Sequence, residues 1–216
     1  MQKFTKVTSV AAALREAHID TDVIFPARFL LLLDKAGLGK HLFHERRQGP
    51  DGIKTDFVLN TPPFDKAEIL VADANFGSGS SREQAVWALT DFGIRCIIAP
   101  SFGEIFQSNC FKNGALPIVI GGETHERIMQ AAESGKPLTV DLETQTVELP
   151  DGETIGFEID PYRRHTLMLG LDEIGSILAD DADDIAAFEA RHRLSRPWLF
   201  LDDGRLDRLF THSRAS

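Results

Sequence analysis

Cysteine is nearly missing from this chain: Cys96 and Cys110 are the two among 216 residues. Two thiols cannot build a disulfide framework, so the reducing cytoplasm is the expected compartment. Basic charge is also short, with 23 Lys and Arg against 33 Asp and Glu and a net charge of −10. Non-specific affinity for nucleic acid comes from neutralising phosphates with Lys and Arg, so a nucleic acid is not the expected partner. No apolar run reaches the roughly 18 residues that a membrane-spanning helix needs, and the run at 29–33 stops at Asp34. The first fifteen residues lack the compact apolar stretch and cleavage pattern of a signal peptide. Internal repeats and low-complexity linkers are absent as well. What remains is a chain with 43% hydrophobic residues, enough at this length to bury roughly 70% of the unfolded chain's surface. That excludes disorder for most of it and points to one large domain with trimmings.

The first half is punctuated by turns, and the more regular pattern starts at residues 67–72 (AEILVA), which read as a buried strand. A glycine-rich loop follows at 75–81. Ala85, Ala88, Leu89 and Phe92 then fall on one helical stripe over 81–92, which Gly93 ends. Residues 94–99 read as a second buried strand, 101–113 as a helix closed by Gly114, and 116–120 as a third strand. Alternating strands and helices of this kind imply parallel strands with crossovers. Further on, 124–134 reads as a helix, 138–142 with 146–149 as a hairpin, and 154–159 as a strand after the Pro150-Asp151-Gly152 turn. Asp160-Pro161 opens a helix to residue 169, and helices are expected at 171–178 and 185–193. The aspartates at 180, 181, 183 and 184 read as the solvated start of the last helix, favoured by its dipole. A domain over 1–193 and a tail over 194–216, either docked or loose, is the expected organisation.

The stretch Gly77-Ser78-Gly79-Ser80-Ser81-Arg82-Glu83 is the richest in chemistry. Its glycines permit a tight turn, and a helix start exposes unpaired N–H groups that attract carboxylates or phosphates. Arg82 adds a fork able to hold a carboxylate through two bonds. The same residues also fit an ordinary capped helix, since Ser80 with Glu83, or Ser81 with Gln84, has capping-box spacing. The residues alone leave both readings open. A dinucleotide fingerprint, a P-loop and a nucleophile elbow are excluded by the missing third glycine, the missing Gly-Lys-Ser/Thr and the glycine at position 79. Asp20-Thr21-Asp22 reads as a turn and is not a calcium loop, because Ile24 and Pro26 stand where ligands belong. Arg163-Arg164-His165 reads as a solvated face or an interface. His41 and His44 lack the further ligands of a zinc site, and packing explains both cysteines.

Taken in order, several stretches resemble the small subunits of bacterial 3-isopropylmalate dehydratase, the leucine-biosynthetic branch of the aconitase superfamily. They are Asp20-Thr21-Asp22 with Ile24, Pro26, Phe29 and Leu30; Gly39 with Leu42-Phe43; Asp56-Phe57-Val58-Leu59-Asn60; and Asn75-Phe76-Gly77 through Glu83. Ala88-Leu89-Thr90-Asp91, Ala99-Pro100-Ser101-Phe102, Leu116-Pro117, Arg163-Arg164-His165 and Gly170-Leu171-Asp172 complete the series. The resemblance runs from about residue 4 to residue 193. It implies an α/β fold, the swivelling β/β/α domain of aconitases, with a partly parallel sheet, flanking helices and a C-terminal helical extension. It implies a hydro-lyase that removes water from a small 2-hydroxy dicarboxylate and adds it back one carbon away.

The resemblance also places a [4Fe–4S] cluster on a large-subunit partner, in a heterodimer whose small subunit is inactive alone. Two cysteines agree with that placement, since such clusters take about three or four thiolates. Ser80 matches the family's catalytic serine, the base that removes the proton beside a carboxylate. Arg82 matches the carboxylate-binding arginine, with Ser81 and Gly79 in the same turn. Thr21 and Asp22 match the pair at the cleft edge that orders the site's hydrogen bonds. In this family the segment around residues 30–42 helps to read the substrate's side group, which makes Leu31 and Leu32 substrate-binding candidates. Four positions depart from the common pattern. Ser78 replaces cysteine, Gln84 replaces histidine, and Ala27 with Arg28 replaces Lys-Gln. These departures leave the reaction class in place and keep related substrates of the methylmalate, citramalate or homoaconitate type as alternatives, beside a non-catalytic anion-binding module.

Overall fold

A computed structural model describes residues 1–32, 34–79 and 81–200, and divides the chain into two compact units, Met1–Asp172 and Glu173–Ser216. The first unit is built on a seven-stranded mixed sheet. Its strands are β1 (Lys6–Leu14), β2 (Ile69–Ala72), β3 (Cys96–Ala99), β4 (Leu116–Val119), β5 (Pro137–Asp141), β6 (Thr146–Glu148) and β7 (Thr154–Gly156). Their order is β4-β3-β2-β1-β5-β6-β7. The half from β1 to β4 is parallel, with Ala11 opposite Ile69, Ile69 opposite Cys96 and Cys96 opposite Leu116. From β1 outward through β5, β6 and β7 the pairing is antiparallel. β1 is therefore the strand at which the sheet changes character. It is also the strand that the sequence reading left unassigned.

Helices cover the sheet because its central strands are apolar on both faces, as parallel strands under crossovers must be. Along β2 and β3 the side chains alternate between two cores. Leu70, Ala72, Ile97 and Ala99 pack with Ala85, Val86, Ala88 and Leu89 of α3 (Glu83–Phe92) and with Phe106 and Cys110 of α4 (Glu104–Lys112). Ile69, Val71, Cys96 and Ile98 pack with Ile128, Met129 and Ala132 of α5 (Gly122–Glu133) and with Leu167 of α6 (Pro161–Leu169). The first core also takes in Ile24, Leu38, Leu42, Phe43 and Leu59 from the turn-rich stretch between β1 and β2. That stretch holds two one-turn helices, α1 (Thr21–Ile24) and α2 (His44–Arg47), and four 3-10 turns.

Local signals act where the sequence places them. Asp160 caps α6 by accepting from the Arg163 N–H at 3.0 Å, with Pro161 in its first turn, and Gly93 closes α3 in the left-handed region. Arg164 donates to the Leu142 and Glu143 carbonyls, and Arg163 lies over the Phe111 ring at 4.4 Å, so both arginines staple α6 to its own unit. Glu173–Asp180 and Ala182–Ser195 are the helices of the second unit, the latter with Asp183 and Asp184 in its first turn. There Trp198 and Leu199 sit exposed in a short 3-10 turn, while Leu201 lies outside the described residues. Among the described residues no helix is long and apolar enough to cross a membrane.

Candidate active site

Three loops leave the carboxyl ends of β1, β2 and β3 and lie side by side, the position where open parallel sheets bind their ligands. The first carries Asp20, Thr21 and Asp22, the second runs from Asp73 to Arg82, and the third holds Ser101 to Gly103. Backbone hydrogen bonds lace them together. Gly77 N–H donates to the Ile19 carbonyl at 2.7 Å and Thr21 N–H to the Ser78 carbonyl at 3.0 Å. On the other side, Phe76 N–H reaches the Ser101 carbonyl at 3.1 Å and Gly103 N–H the Phe76 carbonyl at 2.9 Å. Asp20 caps its one-turn helix by accepting from the Val23 N–H at 2.8 Å.

The glycines of the second loop answer to two different demands. Gly77 has φ +70, and a Cβ there would stand 2.2 Å from Cγ of Phe106, so the loop lies directly on a core ring. Gly79 has φ +92, but a Cβ would meet nothing closer than Asp20 Cβ at 3.5 Å. Its need is conformational alone.

Across the first and second loops, the Arg82 guanidinium pairs with the Asp22 carboxylate. The Arg82 side chain is 20% exposed and that of Asp22 53%. Arg82 serves as the N-cap residue of α3 with extended backbone (φ −69, ψ 106) and no side-chain cap. This corrects the capping-box reading of Ser81 with Gln84. The helix starts at Glu83, one residue late for Ser81 to cap it, and Ser81 is exposed. Glu83 does not reach back to a cap either: it accepts from Asn113 Nδ2 at 2.7 Å and from Trp87 Nε1 at 3.3 Å. Ser80 lies outside the described residues, as does Leu33.

Thr21, Asp22, Gly79 and Arg82 are thus brought together, with Thr21 buried beneath Gly79, its Oγ1 3.8 Å from the position of a Cβ there. Leu31 and Leu32 are placed elsewhere. Leu31 is 89% exposed, and both line a shallow cavity of about 370 Å³ with Asp34, Gly37, Leu38 and Lys40. Asp22, Thr21, Gly79 and Arg82 are not among its walls. The sequence reading passed over His18 and gave no role to Asn75 and Ser101, which stand in its marker stretches; the three are joined by bonds between loops.

The Aconitase C-terminal domain model matches residues 1–123, and a LeuD_N model matches residues 126–161. A model of the C-terminal domain of the 3-isopropylmalate dehydratase small subunit matches residues 180–202. Proteins named 3-isopropylmalate dehydratase small subunit from Allorhizobium ampelinum and Gluconacetobacter diazotrophicus are 53% and 54% identical over 201 residues. Each alignment covers 92% of this chain, with 100% and 97% of the relative. The chain belongs to the 3-isopropylmalate dehydratase small-subunit family. A crystal structure of 3-isopropylmalate dehydratase (leuD) from Methanocaldococcus jannaschii matches it with a TM-score of 0.65 at 27% identity, over 84% of this chain and 99% of that one. The fold expected from the resemblance, an α/β aconitase-type domain with a partly parallel sheet, is the fold observed. Membership in this family makes the chain a subunit of a dehydratase, an enzyme of the lyase class.

Proposed function

We propose that this chain is the small subunit that, with a large-subunit partner in a heterodimer, interconverts 2- and 3-isopropylmalate by dehydration and rehydration in leucine biosynthesis, in the cytoplasm. The observation that carries the reading is the Arg82–Asp22 pair at the carboxyl ends of β1 and β2, in a chain whose full-length relatives bear this name.

The division of labour follows from the groups at hand. Asp22 occupies one side of the Arg82 fork and fixes its direction, leaving the other N–H donors for a substrate carboxylate. The unpaired N–H groups at the start of α3 add positive potential in the same turn. Ser80, as its alkoxide, is the base that takes the proton beside that carboxylate and becomes the neutral hydroxyl. A serine oxyanion is a workable base only where N–H dipoles and a cation stabilise it, which this turn supplies. Thr21, Ser81 and Gly79 order the turn around it, and Leu31 and Leu32 meet the substrate's side group once the partner closes over them. The [4Fe–4S] cluster belongs to the large subunit. This chain's thiols do not fit it: Cys96 and Cys110 are fully buried, and burial pushes both far above the ordinary thiol range.

The test is to titrate this chain into cluster-loaded large subunit while following complex formation and isopropylmalate turnover together. Turnover should rise with occupancy of a one-to-one complex and plateau when it is filled. Full turnover by the large subunit without this chain would overturn the proposal.

A further inference from the structure

Two residues other than glycine sit in the left-handed backbone region where the first two loops meet: His18 at φ 61 and Asn75 at φ 62. Side chains with a Cβ avoid this region, and those held there cluster at functional sites where the surrounding structure imposes the conformation. The two residues face each other. His18 N–H donates to the Ala74 carbonyl at 2.9 Å, and the Asn75 side-chain amide Nδ2 is hydrogen-bonded to His18 Nδ1 at 2.9 Å. Asn75 is held from the other side too, its N–H donating to Ser101 Oγ at 2.8 Å. Asn75, in the second loop, is thus bonded to both of the others. His18 lies four residues before Asp22, and Asn75 seven before Arg82.

From this juxtaposition we propose that His18 and Asn75 form a buckle that sets the spacing of Asp22 and Arg82, and that both are positioning residues for the reaction. The backbone bonds from Gly77 to Ile19 and from Thr21 to Ser78 fix the register of the two loops just past the buckle. The side-chain bond holds the ends from which that register starts. Asn tolerates the left-handed region better than most residues and carries the amide that reaches His18, so one residue type meets both needs. The proposal rests on the function assigned above for its effect on rate, but the buckle itself is testable in the chain alone.

The experiment combines two readouts on His18→Ala, Asn75→Ala, Asn75→Gly and the double alanine variant. In the chain alone, amide exchange at Thr21 and Gly77 should quicken about tenfold or more in Asn75→Gly, which frees the backbone but removes the amide. In the complex with large subunit, each single alanine variant should lower kcat/KM by roughly tenfold, since small misplacements of a catalytic group are costly. The double variant should fall no further than the worse single one. Unchanged exchange in Asn75→Gly would overturn the buckle even if the complex proved inactive. Changed exchange with full kcat/KM in an active complex, or strictly additive losses, would overturn its role in positioning. A wild-type complex without turnover would instead count against the assigned function.

Discussion

Arg82 reaches Asp22 because it stays out of α3, and that single departure from helical backbone turns a residue beside a serine pair into half of an ion pair between two loops. Arg82→Lys should raise KM in the assembled enzyme by roughly tenfold with a smaller change in kcat, since an ammonium cannot hold Asp22 and a substrate carboxylate in one plane. Steady-state kinetics across substrate concentration separates the two parameters, and an unchanged KM would remove Arg82 from the binding step. Ser80→Ala should instead lower kcat by about 10³-fold, about 4 kcal/mol, with little change in KM. Near-normal kcat would end the base assignment.

The glycines beside them make a contrasting pair. Gly77→Ala must displace the Phe106 ring and should cost about 2 kcal/mol or more. Gly79→Ala has room and should cost about 1 kcal/mol, the strain of its backbone conformation. Denaturant unfolding of the two variants checks the order, and equal losses would contradict it. That Thr21, Asp22, Gly79 and Arg82 belong to one cluster was legible through the resemblance, because they stand in two short contiguous motifs. That His18, Asn75 and Ser101 join the loops was not, because their partners lie 57 and 26 residues away and their signature is a backbone angle.

Among the elements, β2, β3 and β4 were legible as apolar runs bounded by turns and helices, since strands buried on both faces carry no polar alternation to hide them. β1 escaped for the opposite reason. Its KVTSVAAAL has polar residues and then three alanines, the latter favoured in helices and poor in strands, although Ala11 and Ala12 are fully buried between the two cores. Small side chains fit there because the sheet changes from parallel to antiparallel pairing at this strand and both layers close over it.

The end of β1 is tied down by Arg15, which forks between Glu126 and Glu133 of α5. The hydrogen bond from Arg15, helped by Gln130, lowers the Glu126 carboxyl from its ordinary 4.5 to about 2, and Arg15 lowers Glu133 as well. A carboxyl whose folded pKa lies below its unfolded value stabilises the fold above the unfolded value and loses that contribution as pH falls through the folded one. The melting-temperature gap between wild type and Arg15→Ala should therefore be full above about pH 5 and close on acidification towards pH 2. It should also narrow in high salt, because the network is exposed. A gap that persists at pH 2 would mean that Arg15 acts through packing rather than charge.

At the scale of the whole molecule, the proposed division of chemistry between two subunits turns on the chain's two thiols. Cys96 lies in the core that β3 shares with α5, and Cys110 in the core that α4 shares with α3. The two thiols belong to different cores, and both are fully buried. Burial also keeps them protonated, whereas iron and sulfide recruit thiolates. The chain purified anaerobically and incubated with iron and sulfide should accordingly show no stable cluster absorbance, bind no stoichiometric iron, and leave 2- and 3-isopropylmalate unchanged. Mixed with cluster-loaded large subunit, the Cys96→Ala, Cys110→Ala double variant should keep most of the turnover while losing about 1–2 kcal/mol of stability from its emptied core positions. Stable cluster absorbance with turnover from this chain alone would refute the division of chemistry between two subunits. Loss of turnover in a double variant that still folds and still binds the large subunit would give the thiols a part in the reaction that their burial denies them.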